Sequence, residues 1–148
     1  MNYTFKFQKI LNLKEREKEE AFNLYQDSVR KFEECAEKLF GLLKKKEDLA
    51  QYQAKQLQQG LAILEIRHYQ HFISNLEKTI EHVQMMVMNA RNKMNWCEEQ
   101  LKESNIEMKK YEKLKERNYN HYLKVLNQLE NTQLDEISSI QYFHREGN

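Results

Sequence analysis

The sequence predicts an all-α chain: two helices folded on each other as an antiparallel coiled-coil hairpin with a left-handed supercoil, helix 2 longer than helix 1. Three observations carry this. The 148 residues include no proline and only three glycines, Gly41, Gly60 and Gly147, so the turn chemistry a compact globule would use is scarce. The chain is rich instead in Glu, Lys, Gln, Leu and Met, which are good helix formers. In two long stretches apolar residues recur at alternating steps of three and four, the seam of one helix packed on another.

Helix 1 is expected over about 5–58. Its seam reads Phe22, Tyr25, Val29, Phe32, Ala36, Leu39, Leu43, Lys46, Ala50, Gln53 and Leu57, nine of the eleven apolar. Upstream, Phe5, Phe7, Ile10, Leu11 and Leu13 are dense but hold no such register, and "KEREKEE" between them is a solvated stretch with opposite charges at helical neighbour spacings. Gly60 separates the two periodic regions, where a glycine just past a helix end is the usual stop signal. A short turn over about 59–62 then reverses the chain.

Helix 2 is expected over about 63–134, followed by a tail, 135–148, that either continues the helix or frays. From Ile66 to Thr132 the three-and-four alternation runs through twenty positions without a slip, sixteen of them apolar. That period predicts the left-handed supercoil. Residues 1–148 thus read as a single coiled-coil domain. With the turn centred near Gly60, residue i of helix 1 faces about residue 121 − i of helix 2. Helix 1 then runs out opposite about residue 115, where the seam breaks at Lys115 and Asn118, and Tyr122, Val125 and Leu129 are expected to overhang.

One aromatic stands outside this scheme. In "YQHFISNLEKTI" the seam takes Tyr69, Ile73, Leu76 and Ile80, and Phe72 lies on its flank. In the same register Leu42, Leu49, Phe72 and Thr79 share g positions, which face each other in an antiparallel pair. An exposed apolar strip of this kind marks a binding surface; the bland alternative is that it widens a thin core.

Composition and spacing exclude several function classes. There are 24 basic and 23 acidic residues, interspersed, so no basic stripe for nucleic acid exists. No apolar run approaches the roughly 20 residues of a membrane span, and the N-terminus is too polar for a secretory signal. A cytosolic location is the expectation, with Cys35 and Cys97 as reduced, small packing residues. Glu65, His68 and His71 could share a helix face as metal ligands do, but they read as a polar helix surface. No phosphate-binding glycine loop or catalytic constellation is present, so no enzyme, cofactor or metal is expected.

The opening "YTFKFQKILNLKERE" and the segment "EIRHYQHFISNLEKTIEHVQ", with Tyr69, Gln70, Phe72 and Ile73 and then Leu76 to Lys78, resemble the FliJ family of the flagellar type III export apparatus. The resemblance covers the chain in length and layout. It implies an antiparallel coiled-coil stalk similar to the γ subunit of rotary ATPases. Such a stalk acts with the hexameric export ATPase FliI and the cytoplasmic domain of the export gate protein FlhA, and some members escort export chaperones. It implies no nucleic-acid partner, no membrane insertion, and a peripheral position at the cytoplasmic face of the membrane. By position, the gate-facing patch would fall on Lys38, Leu42, Lys45 and Leu49 of helix 1 and on Phe72, Leu76, Thr79 and Val83 of helix 2. The family is familiar with tyrosines where this chain has Lys45 and Leu49, and with an alanine and a histidine where it has Thr79 and Val83. The stalk end meeting the ATPase ring would gather Phe5, Phe7, Tyr122, Val125 and Leu129. The residues also leave room for a generic coiled-coil adaptor, a secretion chaperone or a scaffold segment.

Overall fold

A computed structural model describes residues 3–146; the outermost positions of the expected domain and tail, 1, 2, 147 and 148, lie outside the described residues. The chain forms two helices packed against each other, α1 (Gln8–Gln59) and the longer α2 (Ile63–Glu146). Helix 1 begins three residues later than the apolar density at Phe5 suggests. Residues 3–5 are non-helical, and the first helical amides close onto the preceding turn, Gln8 N–H donating to Phe5 O at 3.2 Å and Leu11 N–H to Phe7 O at 2.9 Å. The last turns of α2 take in residues 135–146, which sequence sets apart as a tail. No proline interrupts them, and His144 and Arg145 in the final turn complement the negative end of the helix dipole.

Gly60 makes the reversal. Its φ of +85° is a left-handed conformation that costs L side chains about 1 kcal/mol or more. Its N–H donates to Leu57 O at 3.3 Å, closing the end of α1. Helix α2 restarts within three residues, and Ile66 N–H donates to Ala62 O at 3.2 Å.

The chain divides into two compact units, one running from Glu19 to Lys102, the other joining the chain up to Lys18 with the chain from Glu103 onward. In the Glu19–Lys102 unit, α2 buries Leu76, Ile80, Val83 and Cys97, all members of the expected seam. Helix 1 differs from its expected register. Ser28 is 3% exposed and Ala21 is buried, while Cys35, Leu42 and Leu49 are half-buried; Phe22, Leu43 and Leu57, placed in the seam by sequence, are exposed. The two lines share Tyr25, Phe32, Leu39, Lys46 and Gln53 and differ by one residue at the positions between, which turns the centre of the seam by about 50°. Counting apolar residues favours the line through Phe22 and Leu43. The packed line instead includes the small side chains Ala21, Ser28 and Cys35, which are buried or half-buried. Ser28 is tolerated because its Oγ donates to Tyr25 O at 2.6 Å.

The other unit has its own core. Phe5, Leu11 and Met108 are buried together, with Tyr3, Phe7 and Tyr111 against them. The non-helical start of the chain rises about 3.3 Å per residue, against about 1.5 Å in a helix, and therefore reaches further along α2. The Tyr3 ring lies 5.1 Å from that of Tyr119 and 5.3 Å from that of Tyr122. Tyr122, expected to overhang without a partner, is thus covered. The Tyr3 hydroxyl donates to Asn118 Oδ1 at 3.0 Å and lies 3.4 Å from Lys115 O. The polar break in the α2 seam is the seat of this hydroxyl.

Candidate interaction surfaces

The antiparallel pairing rule holds within each unit. It places Tyr3 opposite Asn118, where its hydrogen bond is found. It places Lys46 opposite about residue 75, and the Lys46 ammonium sits 3.4 Å from the Glu77 carboxylate. Arg91 lies 5.7 Å over the Phe32 ring, two residues from the rule.

This register brings the expected gate-facing residues to one stretch of the Glu19–Lys102 unit, at unequal depth. Phe72 is 46% exposed although it is a large aromatic. Lys38, Lys45 and Thr79 are exposed, and Leu42 and Leu49 are half-buried members of the packed line rather than flank residues. Leu76 is buried and Val83 is 1% exposed, so both support the surface from beneath and offer a partner no contact area. The off-seam strip read from sequence is therefore reduced to Phe72 as its apolar point. The Lys45 ammonium lies 5.4 Å from the centroid of the Phe72 ring, a cation–π pair worth about 0.5–1 kcal/mol at an exposed site. The Thr79 hydroxyl donates to Asn75 O at 3.1 Å, so it is turned onto its own helix.

Beside Phe72, toward the turn, the pair of helices leaves a concavity. A cleft of about 600 Å³ opens there, lined by Leu49, Tyr52, Gln53, Gln56, Leu61, Glu65, His68, Tyr69 and Phe72. Sequence reasoning did not find it. Its signal is the pair Gln53 and Gln56 at consecutive seam positions of α1, where polar side chains loosen the packing that leucines would close. Glu65 and His68 line this cleft, while His71 Nε2 faces Asn75 Nδ2 at 3.5 Å. Among the described residues no group of three or more His, Cys, Asp or Glu is placed to hold a metal ion.

The residues expected at the stalk end separate into core and surface. Phe5 is buried and Phe7 half-buried, their rings 5.9 Å apart edge to face. Val125 and Leu129 are exposed, and Val125 lines a cleft of about 360 Å³ with Tyr3, Thr4, Asn118, His121 and Tyr122. Nearby, the Lys110 ammonium donates to Glu107 at 2.9 Å and holds that carboxyl below its ordinary pKa. The Tyr142 hydroxyl donates to the Glu146 carboxylate at 2.7 Å, which raises its pKa. No helix among the described residues is long and apolar enough to cross a membrane.

Comparison with known proteins agrees over nearly the full chain. The family described as flagellar FliJ protein matches residues 3–147. The flagellar FliJ protein of Bacillus subtilis (strain 168) is 45% identical over 142 residues, which is 96% of this chain and 97% of that relative. No solved structure matches it.

Proposed function

The chain belongs to the flagellar FliJ family, whose members serve flagellar protein export and so motility, and from that premise we propose that it is the coiled-coil stalk linking the export ATPase to the export gate. The surface around Phe72 docks on the cytoplasmic domain of the gate protein FlhA. Lys38 and Lys45 flank it and favour an acidic partner. The stalk end, where Phe5 and Phe7 belong to the core and α2 carries the exposed Val125 and Leu129 further along, meets the hexameric ring of the ATPase FliI and promotes its assembly. These contacts hold the chain at the cytoplasmic face of the membrane through the export apparatus. Escort of empty export chaperones is compatible with the exposed helix faces. The role is one of binding and coupling, without catalysis.

The observation that carries this reading is Phe72: a large aromatic left 46% exposed on a helix that buries its neighbours Leu76 and Ile80. Aromatic side chains held at a surface this way are typical interface anchors. Calorimetric titration of the chain into the gate's cytoplasmic domain tests it. Phe72→Ala, with helicity intact by circular dichroism, is expected to weaken binding by about 2 kcal/mol or more; unchanged affinity removes the docking surface.

A further inference from the structure

The C-terminal third of α2 carries an apolar line on its outside. Leu129, Ile137 and Ile140 are 51%, 52% and 58% exposed, and Leu126 is half-buried. With Gln133 between them, these positions step by three, four, four and three. On an α-helix they fall in one stripe about 80° wide. The order is the same from either end: Leu129 and Ile137 stand four residues from Gln133, and Leu126 and Ile140 stand seven. None of the five positions is charged.

A line symmetric about a point has a natural occupant. Two copies related by a two-fold axis through Gln133 run antiparallel, setting Leu126 against Ile140 of the second copy and Leu129 against its Ile137. We propose that this stripe is a self-pairing surface, through which two copies of the chain pack antiparallel with their Gln133 side chains facing each other. Each glutamine amide carries both donors and an acceptor, so the two satisfy one another. A single polar position in an apolar seam also fixes the register, since any slip buries an amide without a partner. A copy paired in this way has Leu129 covered, so self-pairing and the stalk-end contact proposed above exclude each other.

The interface is small. Fifteen residues of helix face on each copy bury on the order of 1,000 Å² in total, just under the roughly 1,200–2,000 Å² of stable complexes. The pair is accordingly weak, with a dissociation constant on the order of tens of micromolar. Glu130 and Glu136 lie within one turn of the axis, one at each edge of the stripe, and are exposed. Two copies bring their carboxylates together, so added salt strengthens the pair by screening. Docking on a basic partner would show the opposite dependence.

Sedimentation of the full chain from about 1 to 300 µM tests the proposal; that range brackets the dissociation constant expected from the buried area. A reversible monomer–dimer equilibrium that tightens with salt is expected. Ile137→Glu should raise the dissociation constant at least about tenfold, and Gln133→Leu should lower it by about the same factor. Both positions are exposed, so circular dichroism should show the helices unchanged. A monomer throughout the range, a dimer indifferent to both substitutions, or one that loosens with salt overturns it. So does a monomer whose ATPase binding is lost with Ile137→Glu, which would give the face to another protein. The chain is measured alone, so the outcome is separate from that of the export reading.

Discussion

Gly41 sits inside α1 with open space around it, since a Cβ added there would meet nothing within 4 Å. Its helical backbone needs no glycine. Gly41→Ala should therefore stabilise the chain by about 0.5–1 kcal/mol, read as a raised urea midpoint with an unchanged slope. Gly60→Ala should do the reverse by about 1 kcal/mol, because the left-handed φ of +85° and not any crowding demands glycine there. Some of this was legible in the sequence. Gly60 could be assigned to the turn because it alone separates two periodic stretches. Phe72 could be singled out because it breaks the spacing of its neighbours. The Lys45 ammonium over the Phe72 ring was not legible, because a cross-helix contact depends on which rotation of α1 faces α2. The same holds for Leu76 and Val83, which family position places in the patch and packing places beneath it.

Rotation is the question at the level of the single helix. Along α2, apolar residues mark the seam at sixteen of its twenty positions, and the expected line is the packed one wherever α1 lies against it. Along α1 the packed line includes Ser28 and Cys35, which a hydrophobic count overlooks because small side chains bury little area however well they fit. Neighbouring leucines separate the two registers. Leu42→Ala should cost about 1–2 kcal/mol in urea unfolding and Leu43→Ala less than half of that, although Leu43 is the one the count puts in the seam. The non-helical start of the chain was hidden for a different reason. An extended segment has no helical period, so nothing in its spacing announces that the Tyr3 ring reaches on to Tyr119 and Tyr122. Tyr3→Ala should speed hydrogen exchange at residues 115–122 while leaving residues 76–97 unchanged; an even loss of protection would mean that Tyr3 is no local clasp.

For the molecule as a whole, a chain of this composition cannot build a globular core and packs one helix along another. That arrangement leaves long exposed faces, and function has to reside on them. Fold class, turn position and the greater length of α2 were legible because they rest on period and on one glycine. The cleft beside Phe72 and the covering of Tyr122 were not, since they arise where polar seam residues or extended chain replace regular packing. Each proposed contact, at the gate, at the ATPase ring or with a second copy, depends on the chain folding back on itself in the register that opposes Lys46 to Glu77 and Tyr3 to Asn118. Lysine cross-linking of an equal mixture of isotopically light and heavy chains, at a concentration too low for self-pairing, tests that register most directly. Links from Lys46 to Lys78 and from Lys14 to Lys110 should occur within light chains or within heavy chains. Mixed light–heavy links at those pairs, or their absence in favour of links between like-numbered lysines, would contradict it.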